Sequence, residues 1–263
     1  MSDITPSKQP NTLNAIEKTL SVIDFISNHE TTFAEIQKSL CLPKATLHRI
    51  LQALELHEFI KKDDLTDCYK LGLKFIYYGE SVKANTDLPS IVSDYLESFS
   101  REIGESSCLS VLYQNMVLTL SSFEGDASAL TSRLVPFSPL NCSASGKIFL
   151  SNFSDNRLTE YFESNAPIQK TLNSICSYDE FIEEKRKIKE KGISYDDEEY
   201  EYGLFCMSVP LHNHLGPINA TIGITGPKAR IFMKDLSSIE QELKSISEEI
   251  SGQLKKIKYL SEY

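Results

Sequence analysis

Tryptophan is absent from this chain of 263 residues, and only six cysteines and five histidines are present. The cysteines (Cys41, Cys68, Cys108, Cys142, Cys176 and Cys206) are scattered, with no Cys-x-x-Cys pair and no histidine at ligand spacing. That pattern excludes a sequence-local zinc site and a disulfide framework, so reduced thiols and no bound metal are expected. No apolar run approaches the roughly 20 residues that cross a bilayer, and the first residues lack the basic-then-apolar form of a secretion signal. A cytoplasmic protein with no membrane partner is the expectation. Glycine loops of the Gly-x-x-x-x-Gly-Lys-Ser/Thr spacing are missing, as is a Ser-x-x-Lys nucleophile pair. An enzyme using Cys142 or Cys206 as nucleophile is the rival reading, but His29, His48 and His57 belong to the first part of the chain, and the hairpin-tip pair His212 and His214 is left as the candidate base. No cofactor is implied.

An excess of positive charge is also missing, since the formal net charge is −10. The balance is uneven along the chain. Residues 1–84 carry 10 Lys and Arg against 11 Asp and Glu, whereas the remainder carries 17 against 26. The acidity therefore belongs to the C-terminal part. Phosphate attraction depends on charge within a Debye length of about 8–10 Å, so a nearly neutral first part with clustered lysines remains compatible with nucleic acid.

What is present suits two domains with sizeable cores: 41% hydrophobic and 24% charged residues. Residues 1–10 read as disordered, 11–71 as one domain, 72–86 as a connecting helix and 87–263 as the second domain. Within the first, Leu13, Ile16, Leu20, Ile23 and Ile26 predict a helix that packs across two others. Thr32-Phe33-Ala34-Glu35 is a capping box opening a short helix to about Leu40. Cys41-Leu42 forms a tight turn, and a second helix starts at Pro43 or one residue earlier. Its Leu47, Ile50, Leu51 and Leu54 share one face, opposite Ala45, Thr46, His48, Arg49 and Gln52. Strand-like Phe59-Ile60 and Cys68–Leu71 flank a polar turn containing Lys61 and Lys62. Helix, turn, helix and wing make an arrangement whose second helix enters the DNA major groove. The expected DNA-facing set is Thr32, Lys44, Ala45, Thr46, His48, Arg49, Gln52, Lys61 and Lys62.

In the second domain, apolar spacing predicts a helix to Ile103, then a hairpin of Cys108–Tyr113 and Met116–Ser122. Ser143 is a plausible N-cap, leaving the amides of Ala144, Ser145 and Gly146 at a helix start where an anion is favoured, with Lys147 adding charge. Helices over 156–163 and 179–191 follow. Leu204–Leu211 and Ile218–Thr225 predict a hairpin centred on His214-Leu215, pairing Phe205 with Ile224, Met207 with Ile222 and Cys206 with Gly223. One face is wholly apolar; the other is small and polar. The acidic run Asp196–Glu201 reads either as a solvated loop or as one carboxylate turned inward toward ligand hydroxyls. A last helix carries Leu236, Ile239, Leu243, Ile246, Ile250, Leu254 and Ile257. The sum is an α+β architecture with helices on one side of an antiparallel sheet.

Leu42-Pro43-Lys44-Ala45-Thr46-Leu47-His48-Arg49-Ile50-Leu51 resembles the recognition-helix segment of the IclR family of bacterial transcription regulators. Pro139–Lys147, Asp196–Cys206 and Thr225-Gly226-Pro227 are similar to later segments of the same family, in the same order. Asn141 stands where the family commonly has His, and Phe205 where Arg is frequent. The resemblance implies a winged helix-turn-helix domain, a linker helix and a GAF-like domain that binds a small effector. It implies an effector site that includes Ala144, Ser145, Asp196, Cys206 and Thr225, to which the capped helix start adds Ser143 and Gly146, with double-stranded operator DNA as partner. A repressor controlled by a small organic acid or similar metabolite, acting as a homodimer or homotetramer, is the expected function.

Overall fold

The computed structural model describes residues 15–28, 30–84, 87–125, 136–164, 167–213 and 216–256. Residues 1–14, the segment Ser132–Val135, the hairpin centre His214-Leu215 and Ile257 lie outside these. The chain divides into two compact units, Met1–Asn85 and Thr86–Tyr263.

The first unit holds α1 (Ala15–Asn28), β1 (Thr31–Thr32), α2 (Phe33–Leu40), α3 (Lys44–Leu56), β2 (Ile60–Lys62), β3 (Cys68–Leu71) and α4 (Lys74–Ala84). Thr32 caps α2 as the sequence predicts: the Glu35 amide donates to its hydroxyl, and the Glu35 carboxylate accepts from the Thr32 amide at 2.7 Å. Cys41 ends α2 in the left-handed region (φ 50°), which turns the chain sharply into α3. Pro43 is the N-cap of α3 rather than its first residue, because its ψ of 135° is extended. Leu47, Leu51 and Leu54 are buried with Val22, Ile26, Ile36, Leu42, Ile60 and Tyr69. Ile16 and Leu20, expected to pack inward, are 70% and 54% exposed, and Val22 takes the inward position instead. The wing is a three-stranded sheet in the order β1-β3-β2, whose short first strand has no sequence signal of its own.

The second unit holds α5 (Asp87–Ile103), β4 (Ser106–Tyr113), β5 (Met116–Phe123), β6 (Phe137–Pro139), α6 (Ala144–Ser151), α7 (Asp155–Ser164), α8 (Tyr178–Lys191), β7 (Ser194–Asp197), β8 (Leu204–Asn213), β9 (Gly216–Pro227), α9 (Lys228–Ile231) and α10 (Leu236–Leu254). The strands form one antiparallel sheet in the order β6-β5-β4-β9-β8-β7. Leu109, Met207, Val209, Ile222 and Ile224 on one face are buried against Val92, Leu96 and Phe99 of α5 and Leu243, Ile250 and Leu254 of α10.

Helices also cover part of the opposite face, so the one-sided arrangement is corrected. Val117 of β5, Leu140, Phe149 and Leu150 around α6, and Phe181 of α8 build a second cluster there. Ser177 and Glu180 form a capping box at the start of α8, and Gly192 (φ 68°) ends it.

The long hairpin differs in register from the sequence expectation. Next to the tip His212 lies opposite Pro217, but an irregularity between Pro210 and His212 shifts the pairing by two residues. Met207 is therefore opposite Ile224, Val209 opposite Ile222 and Cys206 opposite Thr225. Side chains alternate with a period of two along a strand, so a two-residue shift keeps every residue on the expected face.

Candidate functional site

Along β8 and β9 the face away from the α5–α10 core carries Cys206, Ser208, Gly223 and Thr225. Cys108 and Ser110 of β4 continue it, since Cys108 pairs with Gly223. The N-terminus of α6 stands over this floor, and the loop after β7 closes one side. Between them is a cavity of about 90 Å³, lined by Ser143, Ala144, Ser145, Asp196, Cys206 and Thr225, and also by Thr119, Ser138, Tyr200 and Glu201.

Six of the seven effector residues named from the sequence thus meet in one cavity. Gly146 is the exception. Its amide donates to the Ser143 hydroxyl at 3.3 Å, and a Cβ there would overlap the backbone of Leu140. Its role is to let the helix start approach that backbone. Cys108, Ser110, Thr119, Ser138, Tyr200, Glu201 and Ser208 were not in the expected set. The small polar face of β8 and β9 hinted at Ser208 and the acidic run at Tyr200 and Glu201; no sequence signal pointed to the others.

The helix start is built for an acceptor. Ser143 takes the amide of Gly146, and its hydroxyl donates to the Pro139 carbonyl at 2.6 Å. The amides of Ala144 and Ser145 make no hydrogen bond among the described residues. Both residues line the cavity, and two free amides at the positive end of a helix attract an anion.

Asp196 is 1% exposed. Its Oδ1 accepts the amides of Glu199 at 2.8 Å and Tyr200 at 3.2 Å, which folds the acidic run into a turn. Burial pushes its pKa up to about 6, against the pull of those two amides and of Lys147. One carboxylate of the acidic run does turn inward. Asp197 and Glu198 point elsewhere, both onto Lys228, at 2.6 and 2.7 Å.

Lys147 is the clearest departure from expectation. It is 1% exposed and does not line the cavity; its ammonium is bound by Glu199 and, at 3.0 Å, by Glu184. Burial works against its charge, but the two glutamates outweigh it and hold the ammonium protonated. The pair fastens α6 to α8 and to the acidic loop, and supplies no charge to a ligand.

The two departures from the family pattern have structural roles. Asn141 is fully buried, and its amide donates to the carbonyls of Ile168 at 3.0 Å and Ile175 at 2.9 Å. Phe205 faces the core, edge-on to Phe232 with centroids 5.1 Å apart.

No histidine among the described residues lines the cavity. Burial pushes Cys142 up to about 12 and Cys108 up to about 11, and raises Cys206 well above its ordinary value. All three are protonated thiols at neutral pH, the opposite of an activated nucleophile. No group of acids, cysteines or histidines among the described residues could hold a metal ion.

In the first unit, Lys44, Ala45, His48, Arg49 and Gln52 are exposed on α3, whereas Thr46 is half-buried. Thr32 is committed to Glu35 through both of its hydrogen-bonding groups. The two wing lysines differ. Lys62 binds Asp67 at 2.6 Å and lies over the Tyr69 ring, whereas Lys61 is exposed with no ion pair among the described residues.

Residues 15–64 match the model of the IclR helix-turn-helix domain, and residues 81–252 match that of the bacterial transcriptional regulator IclR C-terminal domain. The chain belongs to the IclR family. It is 25% identical over 234 residues to the HTH-type transcriptional regulator XynR of Escherichia coli, covering 88% of this chain and 93% of that one. The DNA-binding transcriptional repressor YiaJ of the same organism is also 25% identical, with 94% and 90% covered. Among solved structures, Thermotoga maritima IclR superposes with a TM-score of 0.68 at 27% identity, covering 91% of this chain and 98% of that one. An IclR homolog from Microbacterium hydrocarbonoxydans, solved in complex with 4-hydroxybenzoate, gives 0.76 at 16% identity over 93% and 100%. This IclR-family chain is therefore a DNA-binding transcriptional regulator with a C-terminal effector domain and not an enzyme. No helix among the described residues is long and apolar enough to cross a membrane.

Proposed function

We propose that the protein is a repressor whose operator affinity is controlled by a small hydroxylated organic acid, or a similar polar metabolite, held in the cavity at the start of α6. The observation that carries this reading is the pair of free amides at Ala144 and Ser145 facing a cavity whose polar lining is hydroxyls, thiols, Asp196 and Glu201, beside the apolar Val117, Leu204, Met207 and Ile224. A carboxylate at the amides gains the helix dipole, about 0.3–2 kcal/mol. The hydroxyl end then meets Asp196. A hydroxy acid satisfies both ends, and 4-hydroxybenzoate in the Microbacterium homolog has that chemistry. Repression is supported by the name of the YiaJ relative.

Operator reading is assigned to Arg49, Thr46, Ala45, His48 and Gln52 on α3, with Lys44, Lys61 and Lys62 on phosphates. A single such domain has few cations, so useful affinity at physiological salt needs at least two copies on a pseudo-palindrome. Ile76 and Tyr77, 62% and 66% exposed on the linker helix α4, and Ile16 and Leu20 on α1 offer apolar surface for a homodimer or homotetramer. The place of work is the cytoplasm, where operator DNA is.

Thermal-shift screening against hydroxy acids, followed by operator titration with each hit, tests the reading. A stabilising acid that also releases operator is the expected result. Hits confined to uncharged or cationic compounds would exclude the carboxylate assignment.

A further inference from the structure

A second concavity, of about 480 Å³, lies in the C-terminal unit at the far end of α6 from the effector cavity. Its charged rim comprises Lys189 and Lys191 from the last turn of α8, Lys244 of α10, Lys255 at the C-cap of α10, and one acid, Glu248. His212 of β8 and the hydroxyls of Ser247 and Ser251 lie between them. Four lysines against one glutamate is the reverse of this part of the chain, where acids outnumber bases 26 to 17.

Lys189 and Lys191 at the end of α8 and Lys255 at the C-cap of α10 have an ordinary explanation, since cations at a helix C-terminus offset its dipole. Lys244 does not, because it sits in the middle of α10. Lys191, Lys244 and Lys255 form no ion pair among the described residues, and Lys189 donates only to the neutral Oδ1 of Asn152, at 2.7 Å. The like charges are felt: burial, then Lys255 and Lys189, push the His212 imidazolium toward its neutral form. Four cations brought together with a single acid among them are a cost to the folded chain, which a bound anion offsets.

The backbone is specialised at the same place. The register shift of the β8–β9 hairpin falls between Pro210 and His212, both on the groove wall, and strand irregularities of this kind gather next to sites. Ser247 donates to the Pro210 carbonyl at 2.7 Å and Ser251 accepts the His212 amide at 3.0 Å, so α10 fixes the irregular segment.

We propose that this groove is an anion site for a phosphate-bearing small molecule with more than one charge, such as a di- or triphosphate. Its volume falls within the range of small-molecule sites, roughly 300–1,000 Å³. Lysines bind phosphate as point charges, and no arginine fork for a lone carboxylate lines it. The site is separate from the effector cavity but shares its framework. Ala144 and Ser145 begin α6 in one, and Ser151 and Asn152 end it in the other.

Calorimetry on the full chain with inorganic tripolyphosphate tests the proposal, with sulfate at matched ionic strength as control. One saturable site per chain is expected, binding tripolyphosphate at least about tenfold more tightly than sulfate. The Lys189→Gln/Lys244→Gln variant should lose about tenfold or more in affinity, in line with loss of charge-assisted contacts. An Arg49→Ala/Lys61→Ala variant should bind unchanged, as should Asp196→Asn. Equal affinity for the two anions, an unaffected lysine double variant, or loss of binding in the Arg49/Lys61 variant would each overturn it. Lys189 is exposed and Lys244 half-buried, so both substitutions should leave folding intact, which thermal unfolding of the same samples checks.

Discussion

The hydroxyl of Ser145 donates to that of Ser208. Their oxygens are 3.0 Å apart, and Ser208 directs its own proton at the Ile222 carbonyl, also at 3.0 Å. Ser145 thereby pins the start of α6 to the cavity floor. Ser145→Ala removes one net hydrogen bond, about 1 kcal/mol, and leaves Ser208 still paired. Ser208→Ala costs more, about 1–3 kcal/mol, because the buried Ser145 proton is orphaned. Urea denaturation of both variants checks the order; equal or inverted losses would show that the donor assignment is wrong.

Asp196 makes stability depend on pH. A carboxyl raised from 3.8 to about 6 by folding holds its proton more tightly in the native state than in the unfolded chain. Stability contributed at low pH is therefore lost as pH rises from about 4 to about 6, and changes no further above that. Asp196→Asn keeps an Oδ1 for the two amides and removes the titration. The variant should match wild type near pH 4 and exceed it at pH 7.5 by up to about 3 kcal/mol. Wild-type and variant curves that stay parallel across this window would refute the assignment.

On the operator, Arg49→Ala and Thr46→Ala should each weaken binding by about 1–3 kcal/mol without unfolding the chain. Lys61→Ala should lower affinity evenly across sequences and reduce the salt slope by about 1. Lys62→Ala should do less, because Lys62 is held by Asp67 at 2.6 Å. Releasing it with Asp67→Asn should then strengthen binding. Fluorescence anisotropy over a salt series separates these cases, and indistinguishable lysine variants would contradict the difference drawn between them.

Ala144→Pro isolates the helix-start amide. Proline is tolerated at the first helical position, and Ser143, at φ −133° and ψ 146°, already has the extended backbone that precedes a proline. Affinity for an acidic effector should fall about 2- to 20-fold, the range of one dipole-assisted contact. Uncharged analogues should bind as before. If acids and neutral analogues weaken together, the effect is steric and the carboxylate has another partner.

Local signals made much of this legible. Thr32 and Glu35, Ser177 and Glu180, and Ser143 announce helix starts through bonds three residues long, and the Leu47–Leu54 stripe fixes which side of α3 is free. Lys147 was misread because its partners, Glu184 and Glu199, lie 37 and 52 residues away, and nothing local says which way a lysine beside a helix cap will turn. The same distance hid β1, β6 and β7. Each is two to four residues long and is a strand only because β3, β5 or β8 lies beside it. Ser110, Thr119 and Ser138 entered the cavity through that sheet order.

The irregularity between Pro210 and His212 also bears on how this hairpin can vary. It absorbs a two-residue offset between tip and floor, and two is the period of the strand. The tip can therefore lengthen or shorten by an even count while Cys206, Ser208 and Thr225 keep facing the cavity. A single inserted residue in β8 between Ser208 and Pro210 has no such tolerance and turns the floor inside out. Descendants of this sequence should differ in length beyond His212 and agree, residue for residue, before it.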